Sequence, residues 1–315
     1  MTIVSLTMNL LVTSIAGATP LIYAATGELM VQRSGVVNVG IEGIMLMGAF
    51  IATVTTYFTH SPILGVFAAA FSGLILACLL AILTLKIGAD QVVIGVVINL
   101  FSLGLTGTLY RILFSNKSAI THQLPMLFHS LPVMSLFTIP CVILVWWIMQ
   151  HTRIGLEIKA CGEQPDAADA AGINVILTRT LTLLFAGMLA GISGAYLSVG
   201  YTDTFAPAMT AGRGFIALAI VTAGRWNPWG CLAAALIFGF TDSLQFEGQA
   251  LGLDSHYRSV LHTLHLYGIA GELNLTRLPY QLFLALPYVV TLLLLIGSSR
   301  KVAAPANLGR VWRRN

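Results

Sequence analysis

The sequence predicts an all-α, polytopic integral membrane protein: about nine transmembrane helices in one transmembrane domain, residues 1–315, with the N-terminus outside and the C-terminus cytoplasmic. Three observations predict it. The chain is 57% hydrophobic and 9% charged, with a mean hydropathy of +0.87; a soluble domain carries about 25% charged residues. Its apolar residues gather in runs of membrane-spanning length joined by short polar links. Its Lys and Arg are shared unequally between alternate links.

The apolar runs are 3–25, 36–58, 61–86, 91–114, 134–152, 177–200, 212–224, 229–245 and 280–297. The first has no basic residue before it, so it reads as a retained helix and not a cleavable leader. The second opens on Gly35, Gly40 and Gly43, which allow a bent or broken helix where it lines a cavity. The third carries Gly65, Ala69 and Gly73, and the sixth Gly187, Gly191 and Ala195, small residues at the spacing that lets two helices approach closely. The fourth carries Gln91, Gly95, Asn99, Ser102 and Thr106 as one polar stripe at helical spacing. The seventh, 212–224, is short for a bilayer and reads as tilted, broken or half-crossing. Trp226 and Trp229 flank Pro228 at its end, in the manner of interfacial anchors.

Orientation follows from charge. With a cytoplasmic tail at 298–315, alternation places Arg33, Lys86, Arg153, Lys159, Arg179, Arg225, Arg300, Lys301, Arg310, Arg313 and Arg314 inside. Arg111, Lys117, Arg213, Arg258 and Arg277 fall outside. The reverse topology would invert this bias.

Composition also excludes functions. The net charge of +4 comes without a basic stripe interleaved with aromatics, so a nucleic acid is not an expected partner. Cys78, Cys141, Cys161 and Cys231 are too scattered for a disulfide framework or a metal site. Of the histidines only His262 and His265 stand at i,i+3, which makes no ligand set, and no metal is expected. The chain has no GxxxxGK[ST], HExxH or GxSxG motif. Transport or chemistry would therefore draw on an ion gradient or on a partner's energy.

One stretch breaks the apolar pattern. "EQPDAADAAGINV", residues 163–175, lies in the largest cytoplasmic link, about 153–176. Pro165 suits a first helical position. Asp166 and Asp169 complement the helix dipole in the opening turns, the alanines propagate a helix, and Gly172 is a natural stop. The spacing predicts a short capped helix outside the membrane, with side chains small enough for another protein to approach its backbone.

Five blocks resemble the permease subunits of bacterial ABC importers of the ribose/branched-chain amino acid type, nearest to the nucleoside branch. They are "RSGVVNVGIEGIMLMGAF" (33–50), "ADQVVIGVVINLFSLGLTGTLYR" (89–111), "TRIGLEIKACGEQPDAADAAGINV" (152–175), "MTAGRGFIALA" (209–219) and "GRWNPWG" (224–230). They stand in family order over about residues 28–245, whereas 246–279, with "DSHYRSVLHTLHLYG", departs from the pattern. The resemblance implies the large-importer, type II-like permease fold. It implies three protein partners: a second homologous permease, a tandem cytoplasmic ATPase that binds ATP and magnesium, and a periplasmic or lipoprotein substrate-binding protein. It implies that Glu163, Pro165, Asp166, Asp169 and Gly172 form the coupling helix that docks on the ATPase. The family's Asn-Pro pair reads Gln164-Pro165 here.

Polar side chains at membrane depth are the candidates for a substrate pathway. Asn38 and Glu42, four apart, are expected on one face of the second helix, with Gln91 and Asn99 on the fourth and Asp242 toward the outer end of the eighth. Amides and carboxylates hydrogen-bond sugar hydroxyls and base edges; the competing reading is that they bond to one another between helices. Arg213 is expected at the outer side, where it either meets a binding protein or caps a helix. Alternatives to a nucleoside are a simple sugar such as ribose, another purine-like compound or a branched-chain amino acid. Alternatives to the class are an ion-coupled secondary transporter, against which the lack of a paired intramembrane relay argues, and a membrane enzyme.

Overall fold

The computed structural model describes residues 3–114, 124–127, 131–250, 285, 289–293, 296–297 and 304–312. The predicted span 280–297 lies mostly outside the described residues. So do the segment 254–268 with His262 and His265, and the basic residues Lys117, Arg258, Arg277, Arg300, Lys301, Arg313 and Arg314.

The regular secondary structure of the described residues is helical apart from one two-residue antiparallel ladder, β1 (Met126–Leu127) with β2 (Leu131–Pro132). The helices are α1 (Ile3–Arg33), α2 (Ile41–Thr59), α3 (Pro62–Ala81), α4 (Gln91–Phe114), α5 (Thr138–His151), α6 (Arg153–Glu163), α7 (Pro165–Ala170), α8 (Val175–Ala195), α9 (Arg213–Ala223) and α10 (Pro228–Ala250). A π turn extends α3 to Lys86, and another extends α8 to Tyr201.

Local chemistry sets where they start. The Ser61 hydroxyl, Asp90 carboxylate, Thr152 hydroxyl and Asn174 amide oxygen accept backbone N–H groups at the openings of α3, α4, α6 and α8.

Among the described residues six helices are long and apolar enough to cross a membrane: α1 to α5 and α8, with their extensions. The ninth run expected from the sequence, 280–297, lies mostly outside the residues counted. The run 212–224 is α9, with 11 residues, about 16 Å long and so about half a hydrocarbon core. α10 has 23 residues, but its second half carries Asp242, Gln245, Glu247 and Gln249, and it is not one of the six.

Two boundaries differ from expectation. α1 does not stop near residue 25 but continues to Arg33, because Glu28 and Gln32, polar in sequence, are buried among other helices. α2 starts only at Ile41; residues 34–40 form an irregular loop, with Gly35 at φ +93. Asn38 is therefore in that loop and does not share a helix face with Glu42.

α1, α2 and α8 form the centre, with α3 and α10 packed beside them and α4 and α5 outermost. The α3–α8 contact sets Ala69 and Gly73 against Gly191 and Gly187, as read from sequence, whereas Gly65 packs on Ala52 and Thr56 of α2. A Cβ on Gly73 would strike the Gly187 carbonyl, and one on Gly191 would strike that of Ala69, so the backbones themselves touch.

One end of the bundle collects the C-termini of α1, α6 and α9, helix α7, the N-termini of α8 and α10, and the tail 304–312. Arg33, Lys159, Arg179, Arg225 and Arg310, grouped in sequence as inside residues, share this end. The β1–β2 ladder lies at the opposite end, where the Leu124 N–H donates to the Val199 carbonyl.

Candidate functional site

Two polar constellations stand out, one at the tail end of the bundle and one inside it. The first is the elbow of α6 and α7. The chain turns at Gln164 (φ −142, ψ 82), and Pro165 opens α7 at its first position. Gly172, at φ +88, ends it: the Ile173 N–H reaches back to the Ala168 carbonyl and the Gly172 N–H to that of Asp169. This paired pattern is the Schellman stop. Pro165 and Ala168 face inward, and Ala168 packs with Cys161, Val175 and Ile173. Burial pushes the Cys161 thiol up, leaving it a packing group. Asp166, Ala167, Ala170 and Gly172 are exposed, as is Glu163, and Asp169 is half-buried. The exposed face offers short side chains to whatever sits on it.

The elbow is fixed to the bundle by Arg179 of α8, which is 1% exposed. Its Nε donates to the Ser34 carbonyl at 2.9 Å and its Nη2 to the Cys161 carbonyl at 3.0 Å. Ser34 follows α1, and Cys161 lies in the last turn of α6, so the guanidinium caps two helix C-termini. Arg33 treats α9 likewise, giving two N–H bonds to the Trp226 carbonyl at 3.1 and 3.0 Å. Trp226 is thus no interfacial anchor: it is buried, with its indole N–H on Gln32 Oε1 at 2.8 Å. Trp229 is exposed. Burial, and then the Arg33 charge, lowers the Lys159 ammonium, as expected where cations crowd.

The second constellation surrounds the start of α9. Residues 202–212 lead from the end of α8 to a helix that begins inside the bundle, and Phe205 holds this segment between Phe50 and Tyr110 at ring separations of 5.3 Å. Glu42, in the first turn of α2, accepts the Gly212 N–H at 2.8 Å and the Gly214 N–H at 2.6 Å. A carboxylate on the free N–H groups of a helix start is favoured by both hydrogen bonds and dipole. Next to it Arg213 lies 3.9 Å from Asp242 of α10, each side chain 23% exposed. Arg213 is therefore at the start of a half-length helix, against α10. Replacing Glu42 with alanine is expected to lower stability by about 1–3 kcal/mol, since two N–H groups lose their acceptor. Thermal unfolding of the purified protein measures this, and an unchanged midpoint would leave Glu42 with a pathway role alone.

The other pathway candidates knit the broken segment together. Gln91 Oε1 accepts the Val37 N–H at 2.9 Å. Asn99 accepts the Gly43 N–H at 2.7 Å and donates to the Val39 carbonyl at 3.0 Å. The stripe on α4 thus faces α2 within the subunit, and the outward face of α4 is apolar, with Val93, Val96, Leu100 and Phe101 exposed.

Asn38 is fully buried; its N–H donates to Glu28 Oε1 at 3.1 Å, and its side-chain amide has no hydrogen-bond partner among the described residues. Glu28, wholly buried and also bonded by Gln32 at 3.2 Å, was missed by sequence reasoning. The available signal was a carboxylate and an amide four residues apart just past an apolar run.

A cavity of about 650 Å³ opens between α3, α5 and α8, walled by residues such as Phe67, Met134, Phe137, Phe185 and Ile192. Its lining has almost nothing to hydrogen-bond a polar solute, so it is not the candidate pathway.

A helical bundle with six helices able to cross a membrane, an elbow bolted to its core at one end and a half-length helix and ion pair inside it has the architecture of a multi-pass membrane subunit. The chain belongs to the family described as the branched-chain amino acid transport system / permease component, whose model matches residues 10–295. It is 32% identical over 331 residues to a putative glucose ABC transporter permease protein of Haloferax volcanii, covering 98% of this chain and 99% of the relative. It is 31% identical to the guanosine ABC transporter permease protein NupQ of Bacillus subtilis, covering 91% of each chain. It is 34% identical to the nucleoside ABC transporter permease protein NupC of Lactococcus lactis, covering 73% of this chain and 80% of the relative. No solved structure matches the chain.

Proposed function

We propose that the chain is one of two homologous permeases of an ATP-binding cassette importer that carries nucleosides across the cytoplasmic membrane. The observation that carries the reading is the α6–α7 elbow. It is a capped, small-residue helix that protrudes from the bundle yet is tied through Arg179 to the ends of α1 and α6. Such a helix can pass a push from a partner to the transmembrane helices. Glu163, Pro165, Asp166, Asp169 and Gly172 would form the coupling element, on the cytoplasmic side with the tail. A tandem ATPase would bind ATP and magnesium, and a binding protein would deliver substrate to the opposite face.

Substrate would cross between the paired permeases by alternating access. In this subunit Arg213 and Asp242 are the candidates to meet sugar hydroxyls, because both are partly exposed and neither has its full complement of partners occupied by backbone. Asn38, Gln91 and Asn99 would hold the 37–43 segment, and Glu42 the start of α9, that shape the path. The substrate class rests on the nucleoside and guanosine permeases among the relatives. The Haloferax relative favours a second reading, a simple sugar; both ligands present a ring of hydroxyls.

The test is uptake of labelled guanosine with and without this gene, in cells that hold the rest of its transport system. Unlabelled nucleosides, glucose, ribose and leucine serve as competitors. Gene-dependent uptake blocked by nucleosides alone is the expected result. Block by glucose or ribose would move the assignment to a sugar, and gene-independent uptake would remove the nucleoside.

A further inference from the structure

The tail 304–312 has no regular secondary structure, yet it is held at four places. The Asn307 N–H donates to the Gly162 carbonyl at 3.0 Å, and the Gly309 N–H to that of Gly35 at 2.9 Å. The Ala306 N–H meets Glu163 Oε2 at 3.3 Å. The Trp312 indole N–H donates to Asp166 Oδ1 at 2.7 Å. Pro305 is buried, Leu308 packs on the main core, and Trp312 packs on the Cys161–Ala168–Val175 cluster.

Ordering a tail costs conformational entropy that a free terminus does not spend. These contacts also join three segments remote in sequence: the loop after α1, the last turn of α6, and α7. Gly35 marks how close the junction is, since a Cβ there would lie 2.7 Å from Arg179 Nη2 and 3.3 Å from both the Asn307 carbonyl oxygen and Gly162 Cα.

We propose that the C-terminal segment is a strap that forms part of the ATPase-docking element, setting the attitude of α7 and linking it to the α1–α2 junction. This rests on the coupling role given above to α7. The strap makes the docking surface a composite. The small-residue face of α7 receives the ATPase, while Trp312 occupies Asp166 from the side and Asn307 and Ala306 occupy Glu163. Trp312 and Asn307 are positioning residues, acting through α7. Movement of α7 then reaches the loop at 34–40 by two routes, Arg179 within the bundle and the strap outside it.

The test uses the complete importer, with its ATPase and second permease, in proteoliposomes supplied with its binding protein. The variants are a truncation after Ala303, Trp312→Phe and Asp166→Lys. Guanosine uptake is read beside ATP hydrolysis with and without the binding protein, and beside the thermal midpoint of the complex. Truncation is expected to lower uptake and the response of hydrolysis to binding protein by at least roughly tenfold, since it removes the Trp312 bond to a charged group, by itself worth about that factor, together with three other tethers. Trp312→Phe keeps a ring for packing and removes the donor, and a smaller fall in the same two readings is expected.

If truncation and Trp312→Phe transport at the wild-type rate while Asp166→Lys does not, the strap is refuted and the coupling helix stands. If Asp166→Lys is also harmless, the coupling reading fails with it. Should truncation unfold the complex, Trp312→Phe decides: unchanged uptake and coupling refute the strap.

Discussion

Asp166→Lys is expected to leave the protein in the membrane at normal abundance and to abolish uptake. Asp166 is exposed in the first turn of α7, and its Oδ1 accepts the Trp312 indole N–H. A lysine there cannot accept that bond, and it sets a positive charge against the positive end of the helix dipole. It also puts a long cationic side chain on a face otherwise built of alanines. The bundle core is untouched, so folding should survive. Membrane abundance, thermal midpoint and uptake together check this. Normal uptake at normal abundance would remove the coupling assignment.

Gly187→Leu is expected to do the opposite and remove the folded protein itself. A Cβ at this position would strike Ala77 Cβ and lie 2.6 Å from the Gly73 carbonyl oxygen. Both are on α3, in the most extensive helix contact of the bundle. α8 cannot withdraw from α3 without opening the contact one turn further along at Gly191, where a Cβ would strike the Ala69 carbonyl, or disturbing the equally close approach of Gly194 to the Met45 carbonyl of α2. Overpacking of this kind costs about 3 kcal/mol or more, a large part of a marginal stability. Membrane yield and the thermal midpoint should collapse. Gly104→Leu, where a Cβ would meet nothing within 4 Å, should leave both unchanged. Equal behaviour of the two variants would show that the α3–α8 approach is looser than described.

Where local chemistry decides the structure, the sequence was readable. Pro165 and Gly172 bracket α7 because one has no N–H to lose at a first position and the other takes a positive φ without a steric penalty. The faces Gly65–Gly73 and Gly187–Ala195 were readable because small residues at that spacing serve close helix contact. The polar stripe on α4 was readable as a face, but periodicity says only which residues share a side. What that side meets, here the 37–43 segment, is tertiary information. The end of α1 was misplaced for the same reason: Glu28 and Gln32 look like a polar flank until Trp226 and Asn38 arrive from elsewhere in the chain to bond them. Asn38 and Glu42 were separated by the late start of α2 at Ile41. The strap left no trace in the pattern, because its partners lie more than a hundred residues away and are reached largely through backbone groups.

Arg179 and Arg33 are held by carbonyl oxygens at the ends of helices. Carbonyls do not titrate, so acidification that would neutralise a carboxylate partner leaves these joints intact. No side chain supplies the acceptor either, so no single substitution on the receiving side can delete it. On the receiving side the ties of these two arginines are written into the main chain, so that only a change of Arg179 or Arg33 itself would remove them.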